Sequence, residues 1–189
     1  MTATEDEFVR FAEAAAPRLR RTAFLLCGDW HIAEDLAQTT LAKVFAAWRR
    51  ISRREAVNAY AMRTLMNTYL AESRKKRPRE VLTGQLPELR VDGPSPELRI
   101  AVLEALAMLP PRARAVVVLR YWEDQGIDQT AALLGCSPGN VKSQSARALD
   151  KLRLLLDDVA TEPGPGNSTE DLNRTRRGDH GRDVASRPA

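Results

Sequence analysis

The chain has 189 residues, of which 43% are hydrophobic and only 5% aromatic, and this is enough apolar material for one domain or two small ones. The formal net charge is +4, and because residues 157–189 hold seven acids and five arginines, the remaining residues carry 24 cations against 18 acids. No apolar run approaches the roughly 18 residues of a membrane span, and the acidic N-terminus MTATEDEF lacks the apolar segment of a signal peptide, so we expect a cytoplasmic protein without a membrane span.

Residues 5–78 have the apolar spacing of three helices and form a predicted first domain. Gly28 is typical of a helix C-cap and Asp29 of the N-cap of the next helix. The apolar positions of the second helix are Ile32, Leu36, Leu41, Val44, Phe45 and Trp48. The third helix is predicted near residues 57–77, with Tyr60, Leu65 and Tyr69 on its apolar line. Because alanine and leucine dominate and β-branched runs are few, we predict an all-α fold.

A linker is predicted at residues 79–96, where periodicity is lost and prolines and glycine interrupt the chain. Residues 97–156 form a second helical domain, with a break at Pro110-Pro111. Residues 157–189 have almost no apolar side chains, which predicts a disordered tail. The sequence therefore predicts two small helical domains joined by a flexible linker.

The segment DQTAALLGCSPGNVKS, which begins at Asp128, has the pattern of a helix-turn-helix. Asp128 is the predicted cap of a short helix. Ala131 is small where two helices cross, and Gly135 suits a turn that needs a positive φ. Val141 is the apolar anchor of the second helix. This helix begins with the N-cap Ser137 and a proline at its first position.

One flank of this second helix is polar and contains no acid. Its residues, spaced as one helical face, are Asn140, Ser143, Gln144, Arg147 and Lys151. A cationic face without acids or bulky side chains suits a polyanion at close range, so we expect the helix to enter a DNA major groove. The alternative is an ordinary helical hairpin with a solvated polar face.

With these motifs, the chain resembles the bacterial RNA polymerase sigma factors of the extracytoplasmic-function (ECF) group, in the sigma-70 family. The segments that carry the resemblance are AEDLAQTTLAKVFAAWRRI (33–51), AMRTLMNTYLAESRKKR (61–77), LPPRARAVVVLRYWEDQG (109–126) and DQTAALLGCSPGNVKSQSARALDKLR (128–153). The resemblance implies that residues 5–78 are sigma region 2 and residues 97–156 are sigma region 4. It further implies binding to core RNA polymerase, recognition of the −35 and −10 promoter elements and melting of the latter.

The resemblance also implies roles for single residues. Contact with a coiled coil of the polymerase clamp is implied for Asp35, Leu36, Gln38 and Thr39, although the family usually has an acid where this chain has Thr39. Binding to the −10 element is implied for Arg63 and Asn67, with Asn67 lining the pocket of a flipped base, and for the phosphate-binding cations Arg74, Lys75, Lys76 and Arg77. Binding to the −35 element is implied for Lys142, Ser143 and Arg147. At the position of Asn140 the family commonly has other residues, so the resemblance does not imply which −35 bases this chain prefers.

Two tyrosines of the third helix, Tyr60 and Tyr69, have side chains able to stack on DNA bases. Their spacing places both with the apolar stripe, and we expect them in the core.

Nothing in the sequence predicts an enzyme. His31 and His180 are isolated, and there is neither a phosphate-binding glycine loop nor a cluster of metal ligands. Cys27 and Cys136 lie far apart, outside any Cys-x-x-Cys pair, which favours free thiols.

We therefore predict a sigma factor with no cofactor, metal or small-molecule substrate. Its expected partners are core RNA polymerase, promoter DNA and, by the resemblance, an anti-sigma factor. The alternative is a stand-alone helix-turn-helix regulator with an N-terminal helical sensing domain.

Overall fold

The computed structural model describes residues 3–51, 56–75 and 96–161, and these residues contain helices and no strand. The helices are α1 (Ala3–Cys27), α2 (Trp30–Ala47), α3 (Val57–Lys75), α4 (Pro96–Ala107), α5 (Pro111–Val117), α6 (Ile127–Leu134) and α7 (Pro138–Thr161). A 3₁₀ turn, Trp48–Arg50, follows α2, and a π-helical turn, Val118–Trp122, follows α5. The prediction of an all-α fold is confirmed. No helix within these ranges combines the length and the apolarity that a membrane crossing requires.

The turn between α1 and α2 forms as the sequence predicts. Gly28 has a φ of 75°, a left-handed conformation that glycine adopts without strain. The Asp29 carboxylate then accepts a hydrogen bond of 2.9 Å from the backbone N–H of Ile32 and caps α2. The two helices consequently pack as neighbours, with α3 against both of them.

An aromatic cluster closes one end of the first unit, which we define as residues 3–75. Phe8 lies with its ring centroid 5.2 Å from that of Trp48, and Phe11 lies 5.3 Å from Trp48. Trp48 is buried as expected, but Phe45 is 51% exposed although its ring touches Phe8. The expectation that Phe45 belongs to the core is therefore wrong, because its contact with Phe8 of α1 leaves half of the residue open to solvent.

The second unit, residues 96–161, contains the predicted helix-turn-helix. Gly135 adopts φ 60° and ψ 47° at the end of α6, and Val141 is completely buried in α7. The prediction that Asp128 caps α6 is wrong: the N-cap is Gly126, two residues earlier, and Gln129 Oε1 accepts a 2.9 Å hydrogen bond from the N–H of Gly126. The first helix of the motif is therefore capped by an amide side chain within its first turn.

The two units pack against each other in the described residues. Helix α6 lies against α3, and α4, α5 and the π-helical turn lie against α1. Helix α7 continues to Thr161, so the first five residues of the predicted tail are helical. The rest of that tail and the predicted linker, apart from Pro96 at the start of α4, lie outside the described residues.

Candidate nucleic-acid and protein interfaces

The polar flank of α7 is presented at the protein surface. Ser137 Oγ accepts a 3.2 Å hydrogen bond from the N–H of Asn140, which confirms Ser137 as the cap that fixes the start of the helix. Asn140, Ser143 and Arg147 are exposed, and Gln144 is half-buried, with its amide 2.7 Å from Asn140 Oδ1. The flank runs from residue 140 to 151, about 16 Å at 1.5 Å per residue.

Lys151, at the far end of this flank, is tied to another helix. Its ammonium donates a 2.7 Å hydrogen bond to the carbonyl of Met108, just beyond the end of α4. A cation at the end of a helix stabilises the unpaired carbonyls there. Lys151 therefore positions α7 against α4, in addition to the positive charge that it brings to the surface.

The outward face of α2 carries three of the four residues implied in polymerase contact. Asp35 and Gln38 are exposed and Thr39 is half-buried. Leu36 differs from them, because it is 1% exposed and packs in the core cluster. A partner reaches Leu36 only if the core is repacked, so this residue supports the face from beneath.

Phe45 extends the same face and was missed by sequence reasoning. It lies seven residues after Gln38, two helical turns along one line, and half of its surface is open. The seven-residue spacing from Gln38 indicated that Phe45 lies on the polar face, but its place among apolar positions led to its assignment to the core.

On α3, one line of side chains faces outwards. Arg63, Asn67 and Arg74 are exposed, and Tyr60, three residues before Arg63, is 39% exposed on the same line. Tyr69 is 6% exposed, on the opposite side. The expectation of a core position is confirmed for Tyr69 and is wrong for Tyr60, while Lys76 and Arg77 lie outside the described residues.

A polar groove of about 320 Å³ lies at the surface between α2 and α3, beside the exposed line of side chains on α3. Its lining residues are Thr39, Lys43, Thr64, Asn67, Thr68, Ala71, Glu72 and Lys75. The Lys43 ammonium donates a 2.9 Å hydrogen bond to Thr68 Oγ1 and so links the two helices. Through Thr39 and Asn67, the groove connects the face of α2 with the exposed line of α3.

Among the described residues, two groups have raised pKa values: Tyr69 lies in the core, and Cys27 is partly buried against it. Burial raises the pKa of the Cys27 thiol to about 11, and burial also raises the pKa of Tyr69. Cys27 is therefore a neutral thiol near pH 7 and a weak nucleophile. Within the described ranges, no three His, Cys, Asp or Glu side chains are grouped as metal ligands.

Two family models match the chain in order. The model for Sigma-70 region 2 matches residues 11–79, which include α2 and α3, and the model for Sigma-70 region 4 matches residues 99–152, which include the helix-turn-helix. The RNA polymerase sigma-E factor of Streptomyces antibioticus is 38% identical over 81% of this chain and 88% of its own length. The chain belongs to the sigma-70 family of RNA polymerase sigma factors.

A relative that is named as an ECF sigma factor places the chain in the ECF group, and a solved sigma-factor structure agrees in fold. The ECF RNA polymerase sigma factor EcfG of Rhodopseudomonas palustris is 31% identical over 82% of this chain and 88% of its own length. The crystal structure of the sigma factor RpoE of Bartonella quintana with the anti-sigma factor NepR has a TM-score of 0.66 and 25% identity, covering 80% of this chain and 97% of that one. As a sigma factor, this chain directs promoter-specific initiation of transcription. The alternative of a stand-alone regulator is not favoured, because both sigma regions match in sequence order.

Proposed function

We propose that the three exposed faces divide the work of initiation: α2 binds core RNA polymerase, α3 reads and melts the −10 element, and α7 reads the −35 element. The observation that supports this division is that exposed motif residues lie on three different helices, with Asp35 and Gln38 on α2, Arg63 and Asn67 on α3 and Arg147 on α7. The sigma factor itself makes and breaks no covalent bond. Because RNA polymerase transcribes DNA in the bacterial cytoplasm, we also propose that this sigma factor acts in the cytoplasm.

The polymerase contact centres on the half-exposed ring of Phe45. Asp35, Gln38 and Thr39 supply polar groups two to three helical turns before it, and aromatic residues such as phenylalanine are enriched at protein interfaces. Leu36 holds the helix in place from the core. Phe45 accordingly joins the residues that the resemblance implied.

The −10 contact uses the outward line of α3. Tyr60 offers an aromatic ring for stacking on an unpaired base, and Asn67 offers donors and an acceptor to a base edge. Arg63, Arg74 and Lys75 supply positive charge for the phosphates, a contribution that does not depend on sequence and weakens as salt rises. Together these groups hold a strand that has left the duplex.

The −35 contact uses α7 in the major groove. Arg147 is the long cation near the middle of the polar flank, and Asn140 and Ser143 flank it with hydrogen-bonding side chains. Lys142, an exposed cation in the first turns of α7, and Lys151, at the far end of the flank, favour phosphates.

An anti-sigma factor is a further proposed partner. The RpoE structure to which this chain is similar contains the anti-sigma factor NepR. We propose that a protein of that class binds this chain and keeps it from the polymerase.

Transcription with purified core polymerase tests the −35 assignment. Run-off products from a promoter library are measured with wild-type protein, with Arg147→Ala and with Arg153→Ala. Arg153 is a matched control, since it is an exposed arginine of the same helix but forms a 3.1 Å ion pair with Asp150 on another flank.

Arg147→Ala reduces initiation by the equivalent of about 1–3 kcal/mol, in a manner that depends on the −35 sequence, while Arg153→Ala keeps most of the activity. Equal effects of the two substitutions, or a loss that is independent of the −35 sequence, contradict the assignment of α7.

A further inference from the structure

A network of side chains links the surface of α1 to the outward face of α2. Trp30, the first residue of α2, stacks on the core residue Phe24, with ring centroids 4.2 Å apart and an interplanar angle of 10°. The Arg20 guanidinium of α1 lies over the Trp30 ring, with Cζ 5.9 Å from the ring centroid. Arg20 is thereby anchored to the core through two aromatic rings, although its side chain is half exposed.

The same arginine forms an ion pair with Glu34, one turn after Trp30 on α2. Nη1 of Arg20 lies 3.2 Å from Oε2 of Glu34. The other oxygen of this carboxylate, Oε1, accepts a 3.2 Å hydrogen bond from Nε2 of Gln38, one turn further along the helix. Both oxygens of Glu34 are therefore engaged within the chain, one by a cation of α1 and the other by an amide of α2.

The hydrogen bond to Glu34 fixes the orientation of the Gln38 amide. A carboxylate only accepts hydrogen bonds, so the amide must present its NH₂ group to Glu34. The amide oxygen of Gln38 is then the group that remains for a partner, because this residue is exposed. Without Glu34 in position, the amide would rotate and present its donor and acceptor ends alike.

The ion pair of Arg20 and Glu34 has little effect on the stability of the fold. Pairs between exposed side chains add little to the free energy of unfolding, and these two side chains are 51% and 43% exposed. The pair matters more for binding, because each flexible side chain that a partner has to immobilise weakens the association. A Gln38 side chain that is already held in one rotamer avoids that loss.

We propose that Arg20 is a positioning residue for polymerase binding: through Glu34 it holds the Gln38 amide with its oxygen toward the partner. The inference rests on the proposed contact between α2 and core polymerase. Arg20 lies on a different helix, outside the motif segments that carry the family resemblance, so it adds a residue that the motif does not contain. The polymerase group that meets Gln38 is accordingly a hydrogen-bond donor.

The test is a double-mutant cycle, measured as the affinity of the full-length protein for purified core polymerase. The cycle compares wild type with Arg20→Gln, Gln38→Ala and the double variant. Arg20→Lys keeps a positive charge beside Glu34, and Gln38→Lys keeps a donor to Glu34 but offers no acceptor. Arg21→Gln is the matched control, because Arg21 is an exposed arginine at the next position of α1 and takes no part in the network. Circular dichroism and urea unfolding check that each variant folds.

We expect Arg20→Gln to weaken core binding about two- to tenfold, and Gln38→Ala to weaken it at least as much. In the Gln38→Ala background Arg20→Gln has no further effect, because the side chain that it positions is gone. Arg20→Lys restores most of the affinity, Gln38→Lys binds as weakly as Gln38→Ala, and Arg21→Gln binds like wild type.

Wild-type affinity of Arg20→Gln overturns the inference. An equal loss from Arg20→Gln with and without Gln38 also overturns it, because Arg20 then acts independently of that amide. Wild-type affinity of Gln38→Lys overturns the assignment of the amide oxygen to the partner. Phe45→Ala separates the two proposals: if it weakens core binding and Arg20→Gln does not, only this inference fails, whereas unchanged affinity of both Phe45→Ala and Gln38→Ala refutes the proposed role of α2.

Discussion

Replacement of Tyr60 by alanine tests the −10 face of α3 at the residue where sequence and structure disagree. Tyr60 is 39% exposed in the first turn of the helix and does not belong to the core cluster, so its removal leaves the buried core residues in place. We expect the stability to change by no more than about 0.5 kcal/mol, as for other surface positions. Stacking of a base on an aromatic ring contributes about 1–3 kcal/mol. At about 1.4 kcal/mol per factor of ten, Tyr60→Ala lowers the equilibrium for open complex by about 5- to 150-fold.

The spacing along α3 predicts how Tyr60 combines with Asn67. The two residues are seven positions apart, which is about 10.5 Å along the helix axis. This exceeds the reach of a single base, so we expect the two side chains to contact different nucleotides. The losses caused by Tyr60→Ala and Asn67→Ala therefore add in the double variant.

Permanganate probing of unpaired thymines measures the open complex, and a titration measures affinity for core polymerase. Tyr60→Phe is the control, because it keeps the ring and so keeps stacking near the wild-type level. Tyr60→Ala and Asn67→Ala keep core affinity and lose open complex, and a pre-melted bubble restores only part of the activity because base capture is still impaired. Normal melting by Tyr60→Ala, or an equal loss in Tyr60→Phe, refutes stacking by this residue.

Three further predictions concern the helix faces and the turn. Phe45→Ala weakens core polymerase binding by about 1–3 kcal/mol in a titration, whereas the control Tyr60→Ala retains affinity. An unchanged affinity of Phe45→Ala contradicts the proposed contact of Phe45 with the polymerase. Leu36→Ala lowers the free energy of unfolding in urea by about 2–5 kcal/mol, because it opens a cavity in the core. The control Gln38→Ala changes this free energy by less than about 0.5 kcal/mol. A similarly small effect of Leu36→Ala would contradict its place in the core. Gly135→Ala costs about 1–2 kcal/mol in the same assay through its positive φ alone, since no atom lies within 4 Å of the added carbon; an unchanged free energy contradicts the left-handed turn.

Local chemistry made much of the fold predictable from sequence. A cap or a turn depends on a few neighbouring residues, so Gly28 and Asp29 predict the first helix boundary, and Gly135 and Ser137 predict the turn of the helix-turn-helix. The order of the motifs also predicted membership in the sigma factor family, which the two matched regions confirm. These signals need no knowledge of how the helices pack.

Tertiary packing decided which side of each helix is available. The 3.6-residue period places Leu36 and Phe45 on α2 and Tyr60 on α3, but it does not say which neighbour covers each position. Helix α1 covers only part of Phe45, and Tyr60 lies on the outer side of α3, so both aromatic residues are open to partners. The sequence alone determined the helical fold, the caps at Asp29 and Ser137 and the motif residues, because these follow from contacts a few positions apart. Only the folded chain brought Glu123 to Arg18 across 105 residues, because long-range pairing depends on the arrangement of whole helices and not on any local pattern.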